Sequence, residues 1–97
     1  IIDGIIISLN KGNNECYNLG TGKEVSVNEL FDIISNVSDC KGLDPVYLEK
    51  RAGEIERIAL NAEKAKKEFG WEPKTDISDG IRKTYEFFQE TFNKWTK

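Results

Sequence analysis

The sequence contains no histidine and no methionine, and it has only two cysteines among its 97 residues. Histidine is the commonest metal ligand and the commonest general base near neutral pH, so neither a metal site nor a self-contained catalytic triad is expected. Cys16 and Cys40 match no zinc-binding spacing and are too few for a disulfide scaffold. They predict free thiols in a reducing compartment, which favours a cytoplasmic protein.

Long hydrophobic runs and an excess of basic residues are also lacking. The apolar run Ile5-Ile6-Ile7 is far too short to cross a membrane, and no basic segment precedes it. The sequence therefore predicts neither a transmembrane helix nor a signal peptide. With 14 basic and 17 acidic residues the net charge is -3, so we expect no nucleic acid as a partner.

What remains is the composition of one small globular domain, with 38% hydrophobic and 32% charged residues. A chain of this size has a thin stability margin unless a partner surface or a second domain covers it. The chain opens directly into the apolar residues Ile1 and Ile2, without a polar leader. We expect a cut inside a longer protein, the alternative being a processed natural N-terminus.

Four helices are predicted from local start and stop signals. Residues 1–10 are apolar on most sides and end near Lys11-Gly12, while Ser26 and Glu29 form a capping box before a helical spacing of apolar residues. Asn61 caps a short helix that ends at Gly70, and Trp71 should fold back on it. A last helix begins at Asp76 and places an apolar face toward the core: Ile77, Ile81, Tyr85, Phe88, Phe92 and Trp95.

Two short strands are predicted between these helices. Residues 15–19 form an apolar run closed by Gly20-Thr21-Gly22, and residues 46–48 follow the break at Asp44-Pro45. The predicted fold class is therefore α/β, a small mixed domain of helices with two short strands. Gly20-Thr21-Gly22 is not a dinucleotide-binding loop, because Val25 stands where the third glycine is required, and we interpret it as a tight turn.

The most suggestive polar feature is the loop Arg51-Ala52-Gly53-Glu54. Arginine offers a planar fork of donors that fits a phosphate or a carboxylate, and glycine lets the backbone approach a ligand closely. The nearby carboxylate could accept hydrogen bonds from ribose hydroxyls. The alternative is an ordinary surface turn with solvated charges.

Taken together, three blocks of sequence resemble the C-terminal part of the NAD-dependent nucleotide-sugar epimerase/dehydratase family, the extended short-chain dehydrogenases. The blocks occur in order and cover nearly the whole chain: YNLGTG at 17–22 with SV and EL within 26–30, RAGEI at 51–55, and the stretch 62–71 with KA and FGW, followed by Pro73 and GIRKT at 80–84. The family's 4-epimerases, which interconvert UDP-glucose and UDP-galactose through a 4-keto intermediate, are the most similar members.

The resemblance implies that residues 1–97 are a C-terminal domain that binds a nucleotide sugar. By this similarity Arg51 grips the diphosphate, Glu54 contacts the nucleotide ribose, and Ile58 is a wall residue near the sugar. Most of the epimerases have aspartate where Glu54 stands. No catalytic, cofactor-binding or metal-binding residue is expected on this chain.

The sequence also departs from the family pattern. The Tyr-x-x-x-Lys acid/base pair is absent, since Tyr17, Tyr47 and Tyr85 are followed four residues later by other residue types, and the glycine-rich NAD loop is missing. The resemblance therefore implies that an N-terminal Rossmann domain of the same protein binds NAD and carries the catalytic residues. A homo-oligomer is a possible assembly. Two alternatives stay open: a stand-alone binding or dimerisation module, and a fragment of a nucleotide-sugar dehydratase or decarboxylase.

Overall fold

A computed structural model describes residues 1–12 and 14–95 of the chain. Its regular elements are the helices α1 (Ile2–Ser8), α2 (Val27–Val37), α3 (Glu63–Phe69) and α4 (Ile77–Trp95). The chain divides into two compact units, each built from two stretches of sequence. Unit 1 comprises Ile1–Glu24 and Ala52–Lys74, and unit 2 comprises Val25–Arg51 and Thr75–Lys97.

The core of unit 1 forms around α3. Ala65 and Phe69 on one face of α3 are buried together with Trp71. Gly70 adopts the left-handed conformation (φ 72°) that ends the helix, and the Trp71 backbone N–H then donates to the Ala65 carbonyl at 3.4 Å. Tyr17 packs edge-on against Phe69 with 4.6 Å between ring centroids. The predicted stop at Gly70 and the return of Trp71 onto the helix are both confirmed.

Helix α1 joins this core through a glycine. Gly4 is buried, and a Cβ atom placed on it would lie 2.6 Å from Leu19 Cδ1 and 3.1 Å from Trp71 Cδ1. The missing side chain therefore lets the α1 backbone approach both residues closely. Ile7 also packs against the core, whereas the other apolar side chains of α1 are exposed. The helix predicted over residues 1–10 is confirmed in a shorter form.

Unit 2 contains α2 packed against α4. Ser26 caps α2 as predicted, because its hydroxyl accepts from the Glu29 N–H at 3.1 Å and its own N–H donates to the Glu29 carboxylate at 2.9 Å. The Tyr47 hydroxyl donates to Asn28 Oδ1 at 2.9 Å. This hydrogen bond fixes the segment around Tyr47 to the first turn of α2.

Helix α4 begins one residue after its cap, where Asp76 Oδ1 accepts from the Asp79 N–H at 2.8 Å. Ile81 and Tyr85 are half-buried. The second half of the predicted core face is exposed instead, at 62% for Phe88, 66% for Phe92 and 83% for Trp95. The prediction that this face is core is therefore wrong for Phe88, Phe92 and Trp95, and also for Ile77 at its start, which is 44% exposed.

The predicted α/β class is also wrong, because the described residues form helices and contain no strand. Residues 15–19 and 46–48, predicted as the two strands, belong to separate units and to no helix or strand. A strand exists only through hydrogen bonds to a neighbouring strand, and runs of three to five residues cannot provide that neighbour themselves. Tyr17 and Leu19 instead contribute side chains to the core around α3.

Candidate functional site

The loop that carries the predicted site residues has neither helix nor strand from residue 49 to residue 58. Arg51 is the last residue of the first stretch of unit 2, while Glu54 and Ile58 belong to unit 1. A turn at Ala52-Gly53 lies between them in the chain, with Gly53 at a φ of 79° that favours glycine. The side chains of Arg51, Glu54 and Ile58 are all exposed, the last to 63%.

An ion pair within unit 1 lies next to these residues in the chain. Arg57 donates through Nε to both Glu24 carboxylate oxygens, at 3.2 and 3.1 Å, and through Nη2 to Oε2 at 2.8 Å. Sequence reasoning missed this pair because its partners are 33 residues apart and neither belongs to a recognisable motif. Arg57 immediately precedes Ile58 and follows Glu54 by three positions.

Unit 1 also contains an open groove of about 570 Å³. It is lined by residues 20–22, 59–63 and 71–73, together with Lys66 of α3. Lys66 Nζ lies 2.7 Å from Glu72 Oε1. This hydrogen bond raises the pKa of Lys66 and lowers the pKa of Glu72. The groove is therefore lined by both apolar and polar residues, and an ion pair of two exposed side chains lies along it.

The glycine turn of the groove packs against its opposite wall. A Cβ atom on Gly20 would lie 2.8 Å from Leu60 Cβ and 3.4 Å from the Leu60 carbonyl oxygen. Gly22 has a φ of 73°. Glycine at position 20 is thus required for packing between two stretches of unit 1, which supports the interpretation of this segment as a structural turn.

Lys64, the basic residue of the KA block, has a structural place in unit 1. Its Nζ lies 2.6 Å from Glu15 Oε2, donates to the Cys16 carbonyl at 3.3 Å and lies 4.9 Å from the centre of the Tyr17 ring. The hydrogen bond to Glu15 raises the pKa of Lys64. These contacts attach α3 to residues 15–17 and make Lys64 a support for the unit.

No group of three or more histidine, cysteine or acidic residues is arranged to hold a metal ion within residues 1–12 and 14–95. Over the same residues no helix is both long and apolar enough to cross a membrane.

Comparison with known proteins gives consistent matches. A family model described as GDP-mannose 4,6 dehydratase matches residues 1–84. A Methanocaldococcus jannaschii protein named as a candidate UDP-glucose 4-epimerase is 47% identical over 70 residues, which are 72% of this chain and 22% of that protein. A dTDP-D-glucose 4,6-dehydratase of Bos taurus is 30% identical over 102 residues, covering 98% of this chain and 28% of its own length.

A solved structure is similar over most of the chain. The crystal structure of UDP-glucose 4-epimerase with UDP-glucose from Thermotoga maritima matches with a TM-score of 0.87 and 34% sequence identity. The match covers 94% of this chain and 29% of the Thermotoga chain. The chain thus spans less than a third of the length of each of these relatives.

Proposed function

The chain belongs to the NAD-dependent epimerase/dehydratase family, and on this basis we propose that residues 1–97 are the nucleotide-sugar-binding domain of a 4-epimerase. The whole protein would interconvert UDP-glucose and UDP-galactose through a 4-keto intermediate. The observation that carries this proposal is the similarity to the Thermotoga maritima enzyme, which was solved with UDP-glucose and matches 94% of the chain.

Three residues of the exposed loop are assigned to the substrate. The Arg51 guanidinium would bind the diphosphate, and the Glu54 carboxylate would accept hydrogen bonds from the ribose hydroxyls. Ile58 would line the binding pocket near the sugar. All three residues are exposed to solvent, which is compatible with these roles. A grip on the diphosphate holds the nucleotide while the hexose turns, so binding energy remote from C4 retains the intermediate.

The glycine turn of this chain does not fit NAD. The glycine turn that comes nearest to a dinucleotide loop lacks the third glycine, and Leu60 occupies the space beside Gly20. We therefore assign NAD and the redox chemistry to an N-terminal Rossmann domain of the same protein, and substrate binding to this chain. The proposed compartment is the cytoplasm, where the exposed thiols of Cys16 and Cys40 would stay reduced.

A second function from the same family is a nucleotide-sugar 4,6-dehydratase. The observation in its favour is the match to the Bos taurus dehydratase, which covers 98% of this chain. Both functions need a bound nucleotide diphosphate sugar and a 4-keto intermediate, so the proposed roles of Arg51 and Glu54 are the same in each.

The test is an assay of the gene product that contains this chain. Incubated with UDP-galactose and NAD, it should form UDP-glucose, detected by chromatography. Formation of a dehydrated 4-keto-6-deoxy sugar from a nucleotide glucose would favour the dehydratase. A gene product that binds a nucleotide sugar but converts none into another sugar would support the stand-alone binding module and overturn the proposal of an enzyme.

A further inference from the structure

The ion pair between Glu24 and Arg57 joins the two stretches of sequence that make up unit 1. Glu24 ends the first stretch and lies two residues beyond the Gly20-Thr21-Gly22 turn. Arg57 lies five residues after the second stretch begins at Ala52. The pair therefore connects the loop that follows Gly53 to the segment that leads into the capped helix α2.

Two donors of Arg57 contact the Glu24 carboxylate, although both side chains are exposed, Arg57 to 80%. Nε and Nη2 of one guanidinium edge both donate to the same carboxylate, at 2.8 to 3.2 Å. Exposed ion pairs usually contribute little, but a two-point contact fixes the orientation of both groups and not just their separation. A lysine at position 57 could not reproduce it, because its ammonium is a single point charge.

Neither regular secondary structure nor burial constrains this loop. Residues 54–58 belong to no regular element, and the proposed ligand residues Glu54 and Ile58 are exposed, so burial in the core of unit 1 does not hold their side chains. Arg57 lies between them in the chain. The ion pair of Arg57 with Glu24 limits the backbone positions available to Ile58, the next residue, and to Glu54, three residues earlier.

We propose that Glu24 and Arg57 are positioning residues for nucleotide-sugar binding: their ion pair holds the loop that carries Glu54 and Ile58 in its binding conformation. This inference rests on the proposed function. In this proposal Arg57 acts through its ion pair with Glu24 and does not contact the diphosphate. Glu24 supports the binding of an anionic ligand, although its own negative charge would repel a diphosphate.

The test uses the gene product that contains this chain and four variants: Glu24→Gln, Arg57→Gln, the exchanged pair Glu24→Arg with Arg57→Glu, and Arg82→Gln as a control. KM and kcat are measured with UDP-galactose, and the dissociation constant of UDP by calorimetry. Arg82 is a matched control because it forms an exposed ion pair with Asp79 on α4. Circular dichroism verifies that each variant is folded.

Glu24→Gln and Arg57→Gln should each raise KM and the UDP dissociation constant by about 2- to 5-fold, with kcat nearly unchanged, the scale of one exposed ion pair. The exchanged pair should recover most of the loss, and Arg82→Gln should have no effect. If only Arg57→Gln weakens binding and the exchanged pair does not recover it, Arg57 contacts the ligand itself and the inference is overturned.

The two proposals fail differently. The dissociation constant of UDP tests the positioning role even if the enzyme does not catalyse epimerisation, because UDP contains the ribose and the diphosphate that the loop is proposed to bind. A gene product that epimerises UDP-galactose, with both single variants equal to Arg82→Gln, overturns the positioning role alone. A gene product that neither binds UDP nor acts on UDP-galactose overturns both.

Discussion

The contact between Gly20 and Leu60 shows how one residue fixes the groove of unit 1. The Leu60 Cβ atom lies where a side chain at position 20 would begin. Gly20 does not have a positive φ, so its requirement for glycine comes from space and not from backbone conformation. The family block YNLGTG thus contains a glycine whose purpose is close packing.

Gly20→Ala should therefore destabilise the chain. Its Cβ would meet Leu60 Cβ at 2.8 Å, and relieving such overpacking costs about 1 to 3 kcal/mol in the free energy of unfolding. Urea denaturation followed by circular dichroism measures the change. The matched control is Gly80→Ala in α4. Its Cβ would lie 3.8 Å from Thr75 Cγ2, an ordinary contact, and the substitution should stabilise the chain by about 0.5 to 1 kcal/mol. Equal stability of Gly20→Ala and the unchanged chain would contradict the close approach.

Arg51 is proposed to bind the diphosphate of the nucleotide sugar. In the gene product that contains this chain, Arg51→Ala should weaken nucleotide-sugar binding by about 1.5 to 3 kcal/mol, the scale of a hydrogen bond to a charged group. Calorimetry with UDP-glucose measures it. Arg82→Ala on α4 is the control, and it should leave the affinity as it is. A dissociation constant that Arg51→Ala does not change would remove Arg51 from the proposed site.

The role of a single residue can be predicted from the sequence only when the residues it acts with are close to it in the chain. Arg51 and Glu54 can be proposed from the sequence because they lie in one short block whose chemistry suits a diphosphate and a ribose. Arg57 could not be found in that way. Its partner is 33 residues distant, and no local pattern relates the two positions before the chain is folded.

At the scale of elements, the helices were predictable because their signals are local. Ser26 with Glu29 marks the start of α2, and Gly70 marks the end of α3, each within a few residues of the boundary it defines. The strands were not predictable for the opposite reason. An apolar run such as 15–19 reads as a strand or as a core segment, and only a pairing partner elsewhere in the chain decides between them.

The charge pair at the end of α3 gives a prediction for acidic conditions. Lys66 lies in the last turn of α3, and its hydrogen bond lowers the pKa of Glu72 below the ordinary value of 4.5 while raising that of Lys66 above 10.5. A lowered carboxyl pKa contributes stability that is present above 4.5 and is lost as the pH falls through the folded-state pKa. The contribution of Lys66 is present below 10.5 and is lost as the pH rises through its raised pKa.

Glu72→Gln should therefore lower the melting temperature slightly near neutral pH, and the difference from the unchanged chain should disappear in acid once Glu72 is protonated. The effect is small because both side chains are exposed. Thermal melts over a series of pH values measure it. Glu90→Gln, which removes a carboxylate from α4, is the control for loss of charge alone. A difference that persists at a pH well below 4.5 would contradict the ion pair as its cause.

At the scale of the whole molecule, the balance of buried and exposed apolar residues is unusual for a globular chain. The buried hydrophobic residues of the described part are Ala65, Phe69 and Trp71. Large apolar side chains are exposed on α1, on the second half of α4 and at residues 46–48. A surface of this kind marks a site of contact with other protein. The proposed Rossmann domain of the same protein would be one partner for this surface, and a second copy of the chain would be another.

When the 97-residue chain is prepared alone, we expect α1 to mediate self-association. Ile2, Ile6 and Leu9 recur at helical spacing and are 73%, 56% and 79% exposed, so they form an apolar stripe that water does not favour. The weight-average mass in analytical ultracentrifugation should rise with concentration, and Ile2→Lys with Ile6→Lys should suppress the rise. The control is Val46→Lys with Leu48→Lys, which removes apolar surface that is 86% exposed at both positions in unit 2. If the chain is monomeric at every concentration, or if only the control pair suppresses association, α1 is not the contact surface.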